Sequence, residues 1–135
     1  MYKASDYIYK TLIEELLISS QFSLDTELTL DNAEHIYNQN AYGDDDISDL
    51  LYELHDNFRY SGTVSNLDAP CSRHFEVDMH VRQVDGVWVA WPFYYGGDKH
   101  AEPDVIDWVG QSEIVVLDRE EVVVKRIFKY NLTEK

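Results

Sequence analysis

Three things are scarce in this sequence of 135 residues: cysteine, long apolar runs and, over one extended stretch, positive charge. The single cysteine, Cys71, excludes an intramolecular disulfide and suits a reducing compartment. No stretch approaches the roughly 20 apolar residues of a membrane-spanning helix. The N-terminal residues MYKASDYIYK also lack the apolar run of a secretory signal. We therefore expect a cytoplasmic protein.

Negative charge dominates the composition. The chain has 26 acidic residues against 11 Lys and Arg, which gives a net charge of −15. Because nucleic acids and anionic membranes are negatively charged themselves, this excess argues against direct binding to either. It favours a basic protein partner, or it serves solubility alone. The charge is also uneven, since residues 11–58 contain twelve Asp or Glu and no Lys or Arg.

Length and composition predict one domain, residues 1–135, with a packed core. The first sixty residues show helical periodicity, and the period changes to two beyond Gly62. We predict an α+β fold in which three N-terminal helices precede a mainly antiparallel sheet of four to five strands. Residues 1–60 form the acidic helical half, and residues 61–135 form the β-rich half.

Capping residues and apolar spacing place the three helices. The first is expected over residues 6–19 with Ser5 as its cap, and the second over residues 31–38 with Thr29 or Asp31 as its cap. The third begins at a triple Asp, because carboxylates suit a helix N-terminus. Its apolar stripe follows helical spacing: Ile47, Leu50, Leu51, Leu54 and Phe58.

The second half predicts two hairpins. Residues 75–81 alternate between apolar and polar side chains, so we expect the apolar row to pack against the helix layer. Asp85-Gly86 predicts a tight turn into a strand over residues 87–91. A second hairpin is expected to join residues 114–117 to residues 122–130 through a turn near residues 118–120. Residues 104–109 fit either a helical turn or a short strand.

The third helix carries an acidic face opposite its apolar stripe when it is drawn at 100° per residue. Residues four apart rise by about 6 Å, which is close to the spacing of phosphates along a nucleic-acid strand. Nearby Tyr37, Tyr42 and Tyr52 are expected to stack on Arg side chains of a partner. The alternative is a solvated face that only maintains solubility. The predicted partner-binding residues are Asp45, Asp49, Glu53 and Asp56, followed by Glu14, Glu15, Asp31 and Glu34.

A short acidic chain with carboxylate-lined helices and no catalytic motif resembles the DNA-mimic inhibitors of phages and mobile elements. The resemblance covers mainly residues 11–58 and lies in charge character, not in a shared motif. Proteins of that kind block restriction enzymes, CRISPR effectors or other nucleic-acid-binding proteins by occupying basic grooves. The resemblance implies an anti-restriction or anti-CRISPR role.

The aromatic and glycine-rich segment over residues 91–103 offers a second reading. Gly96-Gly97 and His100 suggest a small-ligand-binding or hydrolytic site, although no phosphate-binding loop or nucleophile motif accompanies them. The aromatic side chains either finish the core or form a protein-binding hot spot. These side chains are Trp91, Phe93, Tyr94 and Tyr95.

The spacing of the candidate ligands argues against a metal site. An EF-hand starting at Asp44 would place Asp49 where glycine is needed and His55 where a bidentate Glu is needed. A zinc site is disfavoured because His74 and His80 would stand about 20 Å apart on a regular strand. We predict no metal, no cofactor and no catalytic residue. The expected function is a non-enzymatic inhibitor or adaptor of a basic, nucleic-acid-binding protein or nuclease complex, and its oligomeric state is left open.

Overall fold

A computed structural model describes residues 1–97, 102–103 and 106–132. Over these residues the chain forms three helices followed by a four-stranded antiparallel sheet, which confirms the predicted α+β class. The helices are α1 (Ala4–Ser19), α2 (Ala33–Ala41) and α3 (Asp46–Arg59). The strands are β1 (Thr63–Val64), β2 (Glu76–Val84), β3 (Val87–Tyr95) and β4 (Glu113–Val115).

Helix α1 begins two residues earlier than predicted. The Asp6 carboxylate accepts a hydrogen bond from the backbone N–H of Lys3 at 2.9 Å, so a carboxylate inside the first turn secures the helix start. Ser5 therefore lies within the helix and is not its cap. None of the helices in the described part of the chain has both the length and the apolar composition to cross a lipid bilayer.

Helix α2 is preceded by a reciprocal pair of hydrogen bonds. The Asn32 side-chain oxygen accepts from the Thr29 backbone N–H at 2.8 Å, and the Thr29 hydroxyl accepts from the Asn32 backbone N–H at 3.3 Å. Asn32 stands at the N-cap position. The predicted start near Asp31 is therefore two residues early, because the Asn32–Thr29 pair closes a turn before the helix begins.

The central hairpin agrees with its sequence signal. Strands β2 and β3 pair along their whole length, with Val84 opposite Val87. Asp85 and Gly86 both have positive φ, 50° and 81°, as a two-residue type I′ turn requires. The predicted hairpin is confirmed, and β3 continues beyond residue 91 to Tyr95. The sheet order β1-β2-β3-β4 leaves β1 and β4 at the edges.

The core lies between the helices and one face of the sheet, called here the inner face. The Phe58 ring packs against Trp91 at 5.2 Å and against Trp108 at 6.0 Å between centroids, and all three side chains are at most 1% exposed. Helix α1 adds a fully buried row, and burying one such aliphatic side chain stabilises the fold by about 1.5–3 kcal/mol. This row consists of Ile8, Leu12, Ile13 and Leu16.

Strand β2 turns its polar row toward the helices, so the predicted orientation of this strand is wrong. The His80 ring stacks on Phe93 at 4.3 Å, and the Arg82 guanidinium lies over the Phe58 ring at 4.6 Å. Val77, Met79 and Val81 lie on the outer face, because successive side chains alternate, whereas Val84 at the end of the strand shares the inner face and is 6% exposed in the core. The polar row is tolerated inside because imidazole and guanidinium groups stack favourably on aromatic rings.

The second predicted hairpin is wrong for the described chain. Strand β4 ends at Val115, and residues 116–132 form neither helix nor strand. Residues 118–121 read Asp-Arg-Glu-Glu and offer no Gly or Asn for the positive φ of a tight turn.

The segment before β4 forms successive turns. The Gln111 backbone N–H donates to the Trp108 carbonyl at 3.2 Å, and the Ser112 N–H donates to the Val109 carbonyl at 3.1 Å. Of the two alternatives predicted for residues 104–109, a helical turn and a short strand, the structure favours the first: residues 106–112 form turns. Asp104 and Val105 lie outside the described residues.

Candidate acidic interface

The start of α3 depends on Asp45. Its carboxylate accepts a hydrogen bond from the Ser48 backbone N–H at 2.9 Å, and Ser48 is itself buried. The Ser48 hydroxyl donates to the carbonyls of Gly43 and Asp45 at 2.7 and 2.8 Å. Asp46 and Asp49 follow in the first turn, where the positive end of the helix dipole favours carboxylates. The triple Asp therefore sets the helix boundary as well as its charge.

The carboxylates of α3 form a row on its outer side, called here the α3 acidic face. Asp45, Asp49 and Glu53 are exposed, and Asp56 is half-buried. None of the ion pairs within residues 1–97, 102–103 and 106–132 includes any of these four carboxylates. The first three are spaced four residues apart and so rise by about 6 Å each. The predicted acidic row is thus a continuous, uncompensated feature of the described surface.

Unlike the carboxylates of the α3 acidic face, Glu14 and Glu15 of α1 lie close to basic side chains. Glu14 pairs with Lys10 at 3.4 Å, and Lys10 also reaches Asp85 at 3.4 Å in the central turn. Burial opposes the charged form of Lys10, but the two carboxylates prevail and raise its pKa. Glu15 lies 3.9 Å from Arg82 of β2. Bases from outside residues 11–58 therefore neutralise this part of the acidic tract, and Glu14 and Glu15 do not extend the α3 acidic face.

Asp31 and Glu34 lie at the start of α2. The exposed Asp31 carboxylate accepts a hydrogen bond from the Tyr2 hydroxyl at 3.2 Å, and this bond raises the pKa of Tyr2. Glu34 is half-buried. Burial raises the pKa of neighbouring Tyr9, and the Glu34 charge adds to the effect. Asp31 therefore contacts Tyr2, and the charge of Glu34 acts on Tyr9, so both carboxylates are separate from the row on α3.

The three tyrosines predicted to stack on Arg side chains of a partner differ in solvent exposure. Tyr37 is 8% exposed and packs against Tyr9 at 4.7 Å between ring centroids. Burial raises the pKa of Tyr37 to about 12. It is therefore a core residue and cannot stack on a partner. Tyr42 and Tyr52 are 82% and 63% exposed, so their rings remain accessible.

The aromatic residues of β3 complete the core. Trp91 is fully buried and Tyr94 is 7% exposed, while Phe93 and Tyr95 are half-buried. The Tyr94 hydroxyl donates to the Gln111 side-chain oxygen at 2.8 Å. Between the two interpretations of this cluster, burial favours core packing, because Trp91 and Tyr94 are not accessible to a partner.

The paired glycines after β3 have a local structural reason. Gly96 and Gly97 both have positive φ, 70° and 89°, and a Cβ added at Gly97 would lie 2.7 Å from the His74 carbonyl oxygen. Two surface clefts, of about 510 and 410 Å³, do not include either glycine in their lining. His100, the titratable group of the alternative ligand site, lies outside the described residues.

The three residues considered for zinc occupy different environments. Cys71 and His74 are exposed in the loop before β2. His80 points to the inner face, where burial lowers its pKa. Within the described ranges, no three His, Cys, Asp or Glu side chains converge as metal ligands.

His55 lies on the inner side of α3. Its ring packs between Tyr37 at 6.3 Å and Trp108 at 4.8 Å. Burial lowers the pKa of His55 below its ordinary value of 6.5, despite the opposing influence of Asp56 and Asp107. Below about pH 6.5 the unfolded chain binds the proton more readily than the folded chain does. The free energy of unfolding must therefore fall as the pH drops through this range.

We expect His55→Gln to reduce this loss of stability. Urea unfolding followed by circular dichroism between about pH 7.5 and about pH 5.5 measures the slope of the free energy of unfolding against pH. His80 remains in the variant, and burial lowers its pKa too, so the slope should shrink without vanishing. His35→Gln, which replaces an exposed histidine of α2, is the control and should behave like the wild type. Equal slopes for the wild type and His55→Gln would contradict the prediction.

Comparison with known proteins gave no match to a family model, to a characterised protein or to a solved structure.

Proposed function

We propose that this protein is a non-enzymatic inhibitor or adaptor that binds a basic protein through the α3 acidic face. The partner would be a nucleic-acid-binding protein or part of a nuclease complex. The observation that carries the proposal is the row of exposed carboxylates on Asp45, Asp49 and Glu53, which have no ion-pair partner among the described residues. Their rise of about 6 Å per step is close to that of successive phosphates. Arg and Lys side chains that bind phosphate form charge-assisted hydrogen bonds with carboxylates as well.

The contrast between α1 and α3 supports a specific face over general acidity. On α1, Glu14 and Glu15 are compensated by Lys10 and Arg82. On α3 the like charges stand four residues apart without compensation, which destabilises an isolated helix by a few tenths of a kcal/mol per pair. A basic partner would remove this repulsion on binding.

Binding through such a face would be steered by charge. Long-range attraction accelerates association and weakens as salt rises, because the Debye length is about 8 Å at physiological ionic strength. Tyr42, which is 82% exposed just before the triple Asp, adds a ring on which an Arg guanidinium can stack. The partner would be prevented from holding nucleic acid while its basic groove is occupied.

The proposal is tested by reversing charge on α3 without removing its cap. Asp49→Lys/Glu53→Lys leaves Asp45 in place, because the Asp45 carboxylate caps the helix. Asp25→Lys/Asp68→Lys is the matched control: it has the same net charge, and both positions are exposed and outside the helices. Proteins captured from a host lysate by the wild type are identified, purified and titrated. We expect the α3 variant to bind at least about tenfold more weakly, and the control to bind like the wild type.

Two further measurements make the result specific. Duplex DNA should displace the captured partner, because both would occupy one basic groove, and higher salt should weaken binding. Asp45→Asn should keep the helix cap while removing one charge, so it should weaken binding with little loss of helix content. Equal affinities for the α3 variant and the control, or a partner that DNA does not displace, would rule the proposal out.

A further inference from the structure

The C-terminal part of the chain exposes an apolar run that no described element covers. Residues 122–132, called here the C-terminal arm, contain seven large apolar or aromatic side chains that are between 84% and 96% exposed. Exposed apolar patches of this kind mark interaction surfaces in stable proteins. The seven are Val122, Val123, Val124, Ile127, Phe128, Tyr130 and Leu132.

The composition of the arm is that of a β-strand. β-Branched and aromatic residues fit a pleated, half-buried surface better than they fit a helix or a loop. In the described structure the arm has no strand beside it. Burying such side chains against another strand would be favourable, because apolar surface is removed from water. The arm therefore carries the properties of a strand that lacks a neighbour.

A neighbouring edge is available on the same fold. Strand β4 is the last strand of the sheet, and its outer side has no strand beside it in the described chain. Ile114 of β4 is 43% exposed. An unpaired strand edge is a template for another strand. On the outer face of the sheet, a groove of about 510 Å³ is lined by Val81, Trp88 and Val115 and also by the chain's own connection after β4, from Val116 to Arg119 and at Glu121.

The connection between β4 and the arm favours exchange between copies over folding back. A tight two-residue turn needs positive φ, and none of residues 118–121 adopts it, because Asp85 is the one non-glycine residue with positive φ in the described chain. In the described chain Arg119 instead pairs with Asp118 at 2.8 Å and with Glu121 at 3.4 Å. A connection that does not turn delivers its strand to another molecule, as in domain swapping.

Charge points to a second copy of this chain as the acceptor. The arm contains Lys125, Arg126 and Lys129 and no acidic residue, whereas the chain as a whole carries a net charge of −15. A basic arm is thus attracted to the acidic body of another copy. We propose that two copies exchange their C-terminal arms, each arm adding antiparallel to β4 of the other copy and forming a two-fold symmetric dimer. This inference does not depend on the proposed function.

Two measurements on the full-length chain test the exchange: its molecular mass in solution, and the protection of the arm's amides from hydrogen exchange. Light scattering should give twice the monomer mass of 15.8 kDa. Hydrogen exchange should show protected amides in the arm and in β4. Ile127→Asp places a charge in the arm, and Val124→Pro removes a backbone donor from it. We expect each change to raise the dimer dissociation constant at least about tenfold. Both positions are exposed in the single chain, so helix content should not change.

Ile18→Asp is the matched control, because Ile18 of α1 is 85% exposed and receives the identical substitution. It should dimerise like the wild type. A monomer at every concentration would overturn the proposal, including a monomer whose arm is protected by folding back on its own β4. A dimer that persists in both arm variants would overturn it equally.

Discussion

Replacing Phe58 by Ala is expected to lower the free energy of unfolding by about 3–5 kcal/mol. The Phe58 side chain is 1% exposed and contacts the indoles of Trp91 and Trp108 at 5.2 and 6.0 Å between centroids. Truncation would leave a cavity between two large rings that belong to different parts of the chain. It would also remove the ring beneath the Arg82 guanidinium. Because a domain is stable by about 5–15 kcal/mol in total, this loss would be a large fraction of the free energy of unfolding.

Urea unfolding followed by circular dichroism measures this change. Tyr42→Ala is the matched control, since it truncates an aromatic side chain that is 82% exposed, and it should alter stability by no more than about 0.5 kcal/mol. A loss below about 1 kcal/mol for Phe58→Ala would contradict a core centred on this ring.

The helices could be predicted because their signals are local. The apolar stripe of α3 places Leu51, Leu54 and Phe58 inward, and each is at most 9% exposed. The triple Asp marks the start of the helix because carboxylates stabilise that end. The Asp85-Gly86 turn was predictable for the same reason, since two positive φ angles are needed at adjacent positions. Errors of about two residues at the starts of α1 and α2 come from caps contributed by Asp6 and Asn32.

The orientation of β2 could not be read from its alternation. Period two shows that the strand has two chemically different faces, but it does not say which face meets the helices. Arg82 resolves the choice through contacts that are distant in sequence, namely the Phe58 ring at 4.6 Å and Glu15 at 3.9 Å. A rule that treats a charged side chain as solvent-facing misses the stacking of guanidinium on an aromatic ring.

The candidate site was predictable only in part for a similar reason. Helical geometry alone places Asp49 and Glu53 on the outer side of α3, and both are exposed. Pairing of Glu14 and Glu15 depends on Lys10 and Arg82, which lie just before and well beyond the base-free tract. A count of charges within residues 11–58 could not predict these two ion pairs, because both bases lie outside that range. The structure therefore shows that Glu14 and Glu15 have ion-pair partners, whereas Asp45, Asp49 and Glu53 form an exposed row on α3.

The C-terminal arm is a second case in which the local sequence pattern did not predict the structure. Its β-branched and aromatic residues predict a strand, yet a strand also needs a partner and a turn that delivers it. The residues between β4 and the arm lack the chemistry of a tight turn. The missing hairpin in one copy and the proposed exchange between two copies thus have the same origin in residues 118–121.

Trp108→Ala is expected to cost about 3–5 kcal/mol as well. Trp108 is 1% exposed, and its ring packs against His55 at 4.8 Å and Trp91 at 5.8 Å. It belongs to a turn segment whose described backbone hydrogen bonds are all local. Packing of the indole against His55 and Trp91 therefore holds residues 106–112 against α3 and β3, and the Tyr94–Gln111 hydrogen bond adds a second link to β3. Strand β4 follows directly, so its amides should exchange faster in the variant.

Trp88→Ala is the matched comparison, because it makes the same truncation at a half-buried tryptophan on the outer face of the sheet. Urea unfolding should rank the loss at Trp108 above the loss at Trp88 by about 1 kcal/mol or more, since cavity cost grows with burial. Trp108→Phe, which keeps an aromatic ring among its neighbours, should fall between Trp108→Ala and the wild type. Equal losses at the two tryptophans would contradict the placement of the core, because only Trp108 lies between the helices and the inner face.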